Sequence, residues 1–122
     1  MFKRVSIKIN YARSIPVEAS VWVQDDELHY SNMSFYNESF IEDEVSDITM
    51  ESFGKKLNRI SIENWKEIYT PEDYIVLDGE SWIVTYETDD GKKIVVNGDN
   101  AYPDNWKNFI KLIRSVTGKF VM

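Results

Sequence analysis

The sequence predicts one α+β domain over residues 1–122, with helices packed on an antiparallel sheet of about five strands. Five short segments, 3–11, 17–24, 28–33, 82–87 and 94–96, have the apolar residues of strands. The first, second and fourth of these alternate apolar and polar residues, as half-buried strands do. Polar turns join these segments, and such short connections favour antiparallel pairing. Apolar residues at helical spacing follow the third and the fifth segments. The resulting order, βββ–α–ββ–α, is typical of the α+β class, and the chain has the usual length of one domain.

The first third of the chain predicts three antiparallel strands. Residues 3–11 and 17–24 alternate, and their apolar faces carry Val5, Ile7, Ile9, Tyr11, Val17, Ala19, Val21 and Val23. Asp25, Asp26 and Glu27 then form a polar turn before a third strand. Because connections this short join neighbouring antiparallel strands, a three-stranded meander is expected.

Residues 34–46 leave two interpretations open, an acidic loop and an irregular edge strand. Aromatic and aliphatic residues are mixed there with a run of carboxylates, Glu42, Asp43 and Glu44. The mixture follows neither the period of a helix nor that of a strand. The sequence therefore predicts an acidic segment at this point without fixing its secondary structure.

Two helical segments are expected after the acidic run. The first begins at Ser46 or Asp47, since either side chain can cap a helix N-terminus. Its apolar stripe is Ile48, Phe53, Leu57 and Ile60. The second is a short helical turn from Ser61 through Ile68, which ends before Pro71 because the residue before a proline disfavours the helical conformation.

The C-terminal half predicts a β-hairpin followed by a helix. One face of the first hairpin strand carries Trp82, Val84 and Tyr86. Asp90 and Gly91 supply a tight turn with a positive φ. A turn-rich loop with Gly98 and Asn100 follows the second strand, and Pro103 suits the first turn of a helix. The apolar stripe of that helix, which stops at Gly118, is Trp106, Phe109, Ile110, Ile113 and Val116.

Two motifs in this half resemble those of a group of small, mostly uncharacterised bacterial proteins. The first is a D-G-x-x-W strand, here Asp78-Gly79-Glu80-Ser81-Trp82. The second is a G-x-N-A-Y-P loop before a closing helix, here Gly98-Asp99-Asn100-Ala101-Tyr102-Pro103. The similarity covers residues 60–118 and not the acidic first half. The resemblance implies the hairpin, loop and helix, and it implies no established activity.

The Gly98–Trp106 loop has a structural and a functional interpretation. Structurally, Gly98 permits a positive φ, Asn100 hydrogen-bonds its own backbone, and Pro103 presets the entry into the helix. Functionally, loops on a rigid scaffold often carry binding residues, and here these are Asp99, Asn100 and Tyr102. The structural interpretation is preferred because geometry alone accounts for each of these residue types.

Composition excludes several chemistries. The chain has no Cys, so disulfides, thiolate metal sites and cysteine nucleophiles are absent, and its single histidine, His29, rules out a multi-histidine zinc site. An exposed strand-edge position for His29 is preferred over a role as a base. No phosphate-binding or nucleophile-elbow motif occurs, and the acidic turns lack the EF-hand pattern. We therefore expect a non-enzyme with no catalytic residues, metal or cofactor.

The net charge of −7 is concentrated in one part of the chain. Residues 14–54 contain ten acidic residues and no basic ones, so the remainder holds all 14 Lys and Arg against 11 acidic residues. Nucleic-acid binding needs clustered Lys and Arg, and direct nucleic-acid binding is not expected. No apolar run reaches the ~18 residues of a membrane span, and the alternating N-terminus is unlike a signal peptide, so a cytoplasmic protein without a membrane partner is expected.

The acidic segment and one tryptophan suggest a binding function. Trp22 lies on the polar face of its strand, where it is either an exposed interface anchor or covered by a helix. The expected function is to bind, and so neutralise, a basic protein such as a nuclease, as an immunity or inhibitor protein does. The expected partner-binding residues are Trp22, Asp25, Asp26, Glu27, Glu42, Asp43 and Glu44.

Three other interpretations of the function stay open. In the first, the acidic segment is a solvated surface that aids solubility. The second is a small-ligand or hydrolytic site at the Gly98–Trp106 loop. The third is a structural component of a bacterial or phage assembly, which stable oligomers in solution would distinguish.

Overall fold

A computed structural model of the chain describes residues 2–11, 17–34, 39–44, 50–70 and 80–117. Within these ranges the chain forms seven strands and two α-helices. In chain order they are β1 Phe2–Tyr11, β2 Val17–Gln24, β3 Glu27–Ser34, β4 Ser39–Glu44, α1 Met50–Ile60, β5 Ile68–Tyr69, β6 Glu80–Thr88, β7 Lys93–Asp99 and α2 Trp106–Thr117. A 3₁₀ turn, Ile62–Asn64, lies between α1 and β5.

The seven strands form one sheet in the order β4-β3-β2-β1-β6-β7-β5. Neighbours pair antiparallel, except that the two residues of β5 pair parallel with β7. The predicted α+β class is confirmed. The sheet has more than the five expected strands because β4 and β5 extend its two edges, and β5 makes it mixed rather than wholly antiparallel.

The pairing register aligns the apolar faces of the strands across the sheet. Val5 lies opposite Val21 on β2 and opposite Tyr86 on β6. Both helices cover this face, with buried side chains at Phe53, Leu57, Ile60, Trp106, Phe109, Ile110, Leu112, Ile113 and Val116. The predicted apolar stripes of both helices are therefore confirmed where the structure describes them.

Aromatic side chains fill one end of the core. The ring centroids of Trp82 and Trp106 lie 4.4 Å apart, and Trp65, Tyr69 and Tyr102 each lie 6.0 to 6.2 Å from Trp82. Trp82 is 1% exposed and Trp106 7%. Aromatic pairs at such separations each contribute about 0.5–1.5 kcal/mol beyond their burial. The cluster ties β6 to α2.

The predicted second helical turn is confirmed only for a single 3₁₀ turn, Ile62–Asn64, and its extension through Ile68 is wrong. Ser61 has a left-handed φ of 56° directly after the last residue of α1. The chain then makes a single 3₁₀ turn, and Ile68 pairs with Asn97 as part of β5. Pairing with β7 thus takes precedence over the local helical pattern, which reflects only intrinsic preference. The predicted boundary residues Ser46, Asp47, Ile48, Pro71 and Gly118 lie outside the described residues.

Two predicted loop boundaries are also wrong. Glu27 is the first residue of β3 and lies opposite Gln24, so the β2–β3 turn consists of two residues instead of three. Gly98 and Asp99 belong to β7, where they pair with Trp82 and Ser81, instead of to a loop. The edge-strand interpretation of residues 34–46 holds for Ser39–Glu44. At Glu27 and at Gly98–Asp99, strand pairing thus extends the ladder by one and by two residues beyond the predicted bounds.

The opposite face of the sheet carries no helix among the described residues. Its side chains are mostly polar, and Ser20 Oγ donates a hydrogen bond of 2.9 Å to Ser6 Oγ at its centre. One row of residues on this open face runs from β4 to β7 as Glu44, His29, Trp22, Arg4, Glu87 and Lys93. Trp22 on β2 is therefore separated from the edge strand β4 by one residue of this row, His29 on β3.

Candidate functional site

Sheet topology brings two acidic segments to the same corner of the molecule. The β2–β3 turn carries Asp25 and Asp26, with Glu27 at the start of β3. β4 runs antiparallel along β3, so that Glu44 lies opposite His29, two residues from Glu27. We call this the acidic corner, and its residues are Asp25, Asp26, Glu27, Glu42, Asp43 and Glu44.

The β2–β3 turn projects its two aspartates into solvent. Asp25 has a φ of 54° and Asp26 a φ of 62°, both in the left-handed region, and both residues are exposed. Two consecutive positive φ values characterise a type I′ turn, which matches the twist of the strands that it joins. The turn geometry therefore fixes two carboxylates at the tip of the hairpin.

Trp22 lies beside the acidic corner, on the open face of the sheet. Its ring is sandwiched between the Arg4 guanidinium, 4.8 Å from the ring centroid, and the His29 ring, whose centroid lies 6.0 Å away at an interplanar angle of 17°. Its indole nitrogen donates to Gln24 Oε1 at 3.3 Å. The side chain is half-buried between strand neighbours, and neither of the two described α-helices covers it.

The structure corrects the position expected for His29. β4 pairs outside β3, so β3 is not an edge strand and His29 is half-buried instead of exposed. The histidine packs against Trp22 and lies opposite Glu44 in the ladder. His29 is thus part of the surface that links Trp22 to the acidic corner.

Asp99 at the end of β7, and Asn100 and Tyr102 in the loop that follows, lie near Glu80, the first residue of β6. Asn100 Oδ1 accepts a hydrogen bond of 2.8 Å from the Glu80 backbone N–H, and Tyr102 Oη donates to Glu80 Oε1 at 2.7 Å. Asn100 also donates through Nδ2 to Asp99 Oδ1 at 3.0 Å. The expected bond from Asn100 to its own backbone is therefore replaced by bonds that tie the loop to β6.

Gly98 has a role that differs from the predicted one. Among the described residues Gly91 is the glycine with a positive φ, whereas Gly98 is a buried residue within β7. A Cβ on Gly98 would overlap the indole of Trp82, which lies directly opposite in the ladder. Trp82 in turn donates its indole N–H to Ala101 O at 3.0 Å. The predicted two-residue turn at Asp90 and Gly91 would have paired position 82 with 99. The observed turn has three residues, 89–91, between Thr88 and Lys92, and this register pairs position 82 with 98.

The two helices form a basic groove that the sequence analysis did not anticipate. Its volume is about 370 Å³, and it is lined by Lys56, Arg59, Ile60, Asn105, Asn108, Lys111, Leu112 and Ser115. Three more cations lie on the exposed surfaces of the same helices, Lys55, Lys107 and Arg114. We call this feature the α1–α2 groove. The sequence feature that could have predicted this groove is the spacing of Lys and Arg along each helix. The net charge of the whole chain, which is negative, does not reveal this local excess of basic residues.

Asn105 fixes one end of the α1–α2 groove. Its Nδ2 donates to Ile60 O at 2.7 Å, and its Oδ1 accepts from Trp65 Nε1 at 2.9 Å. The first bond satisfies a terminal carbonyl of α1, which otherwise has no partner within the helix. Because Asn105 directly precedes α2, the same side chain sets the position of α1 relative to α2.

Comparisons with known proteins find no match to this chain, whether among protein-family models, curated proteins or solved structures. None of the helices in the described ranges is long and apolar enough to cross a membrane. Over the same ranges, no group of three or more His, Asp or Glu is placed to hold a metal ion.

Proposed function

We propose that this chain is a non-enzymatic binding protein of the cytoplasm whose acidic corner binds, and so neutralises, a basic protein such as a nuclease. The observation that supports the proposal is the pairing of β3 with β4, which brings the backbone of the acidic strand β4 alongside the strand that begins at the β2–β3 turn. Acidic residues 15 or more positions apart in sequence thereby lie on neighbouring strands, and in the proposed function they form one negatively charged surface. Such a surface attracts a basic partner and accelerates its association.

Trp22 supplies the apolar part of this proposed interface. Binding energy at protein interfaces is concentrated in a few aromatic and Arg residues that are surrounded by polar contacts. Trp22 and Arg4 stack against each other on the open face, in the same row as His29 and Glu44. A partner that covers this row would bury an aromatic anchor and meet the carboxylates at its rim.

The test uses neutral variants that preserve the turn. Asp25→Asn/Asp26→Asn/Glu44→Gln removes three charges from the acidic corner, and asparagine tolerates the left-handed φ of the turn. Proteins from a lysate of the source cell are captured on the immobilised wild-type chain and identified. The affinity of each captured basic protein for the chain is then measured by calorimetry. We expect the variant to bind such a protein roughly tenfold or more weakly, and Trp22→Ala to weaken the same complex.

A matched control removes the same charge elsewhere. Glu51→Gln/Glu63→Gln/Glu67→Gln replaces three exposed carboxylates outside the acidic corner and is expected to leave the affinity within about twofold of wild type. Binding should also weaken steeply between low and physiological salt, because exposed charges are screened over about 8–10 Å. Equal losses in the two variants, or an affinity indifferent to salt, would refute the proposal.

The Gly98–Trp106 loop is a weaker candidate for a ligand or hydrolytic site. The side chains of Asn100 and Tyr102 both bond to Glu80, and these bonds hold the loop in the conformation that leads into α2. Their polar groups thus have a structural use. We therefore place the proposed function at the acidic corner.

A further inference from the structure

The α1–α2 groove concentrates positive charge in a protein whose net charge is −7. Lys56 and Arg59 approach it from α1 and Lys111 from α2, and all three side chains are exposed. None of them has an ion-pair partner within the described part of the chain. On β1, by contrast, Lys8 is paired with Glu18 at 3.6 Å. Within the described ranges the cations of the groove have no counter-charge of their own, which is the arrangement that binding of an external anion requires.

The floor of the groove indicates which class of anion fits. Two apolar side chains that are almost fully buried, Ile60 and Leu112, also line the groove, and the other lining residues are Asn105, Asn108 and Ser115. No aromatic residue lines the groove, whereas single-stranded nucleic acid binds largely by stacking its bases on aromatic side chains. An apolar floor with a basic rim complements an acidic peptide that also carries apolar side chains.

Long-range electrostatics favour the same class of ligand. A nucleic acid is an extended polyanion, and beyond the groove it would meet a chain with ten acidic residues among residues 14–54. A short acidic segment can stay within the roughly 8–10 Å over which the local cations dominate at physiological salt. The groove thus suits a compact acidic ligand better than a long one.

We propose that the α1–α2 groove binds an acidic segment of a partner protein, with carboxylates on Lys56, Arg59 and Lys111 and an apolar side chain over Ile60 and Leu112. This inference is independent of the function proposed for the acidic corner. The chain would then have two binding surfaces of opposite charge, one for a basic partner and one for an acidic segment.

The experiment measures fluorescence anisotropy of a labelled peptide built from Leu-Glu-Glu repeats, titrated with the full chain at low salt. We expect Lys56→Glu/Lys111→Glu to weaken binding roughly tenfold or more, because repulsion replaces attraction at the rim. Lys3→Glu/Lys93→Glu makes the same change of charge at exposed strand positions and should leave binding near the wild-type value. A Gly-Glu-Glu peptide should bind several-fold more weakly than the Leu-Glu-Glu peptide, since it has no side chain to cover the apolar floor.

Several outcomes would overturn the proposal. One is equal binding by wild type and the Lys56→Glu/Lys111→Glu variant, with unchanged near-ultraviolet circular dichroism showing that the variant is folded. Another is tighter binding of oligo(dT) of matched net charge, which would assign the groove to nucleic acid. A third is salt-sensitive self-association of the wild-type chain by sedimentation velocity, abolished in the groove variant, which would assign the groove to a second copy of the chain.

The proposal for the α1–α2 groove and the proposal for the acidic corner can be refuted independently of each other. The acidic-corner variant Asp25→Asn/Asp26→Asn/Glu44→Gln should bind the Leu-Glu-Glu peptide as wild type does or slightly more tightly. Loss of peptide binding in that variant would contradict the assignment of the peptide to the groove. It would leave the test of the acidic corner with its own partner unaffected.

Discussion

Gly98 lies on the core face of β7, where the indole of Trp82 crosses the strand. The indole occupies the space that a Cβ at position 98 would need. Trp82 also contacts Trp65, Tyr69, Tyr102 and Trp106, so it cannot shift without disturbing the rest of the aromatic cluster. A glycine inside a strand usually weakens it, and here the close packing of a large ring compensates for that cost.

Gly98→Ala is therefore expected to lower the free energy of unfolding by about 2–3 kcal/mol, the cost of overpacking a tight core. Gly54→Ala is the matched control. Its Cβ would lie 3.9 Å from two ring atoms of Phe2, an ordinary contact, and alanine is the better helix former in α1 by about 1 kcal/mol. Urea unfolding of both variants measures the difference. Equal effects of the two substitutions would contradict the packing argument.

At the scale of an element, the β2–β3 hairpin combines a conformational constraint with a charge. Its two turn residues both have positive φ, a conformation that is costly for residues with a side chain and least so for Asn and Asp. Two adjacent carboxylates at this tip also repel each other. The positive φ values and the adjacent charges of this turn therefore both lower the free energy of unfolding.

Asp26→Gly is expected to stabilise the protein by about 0.5–1 kcal/mol, because Asp-Gly is a preferred pair for this turn type and one repulsive charge is removed. Asp26→Ala removes the same charge but keeps a Cβ at positive φ, so it should destabilise by about 1 kcal/mol. Urea unfolding compares the two variants with wild type. A glycine variant no more stable than the alanine variant would show that the φ of this residue has little effect on stability.

At the scale of the whole molecule, charge is separated between the layers. The acidic corner lies at the β4 edge of the sheet, and the α1–α2 groove lies on the outer surface of the helices. Because β1, β2, β3 and β4 follow one another along the chain and also across the sheet, the acidic segment stays together at one edge. The basic residues come from two helices that are separated in sequence by β5, β6 and β7.

The stability of the protein at alkaline pH depends on Tyr86, whose pKa is affected by several parts of the molecule. Burial raises the pKa of the Tyr86 hydroxyl, and the carboxylates of Glu63, Asp89 and Asp90 raise it further. A pKa raised by folding means that the neutral tyrosine is favoured in the folded state. This contribution is complete below the pKa of an unfolded tyrosine, about 10, and is lost as the pH rises through the folded value.

Wild type is therefore expected to lose stability above pH ~10 more steeply than Tyr86→Phe, which has no group to ionise at this position. Urea unfolding at neutral pH and at a series of alkaline values measures the two slopes. The other tyrosines titrate in both proteins, so the difference between the slopes isolates Tyr86. Parallel curves would show that ionisation of Tyr86 is not coupled to folding.

Alternation and helical spacing in the sequence were sufficient to determine the α+β class, four of the seven strands in nearly their observed bounds, and the buried stripe of each helix. These features depend on periods of two and of about 3.6 residues, which are local. The Asp90-Gly91 pair likewise located the β6–β7 hairpin, but it did not fix the register. The observed turn has three residues, 89–91, and shifts the pairing by one position relative to a two-residue turn.

The contacts between residues distant in sequence were determined only by the tertiary structure. It placed Glu44 next to the β2–β3 turn, stacked Trp22 between Arg4 and His29, gave Gly98 its contact with Trp82, and assembled the α1–α2 groove. It also paired Ile68 with β7 against its local helical pattern. Each of these depends on contacts between residues distant in sequence, and local periodicity carries no information on which elements pack together.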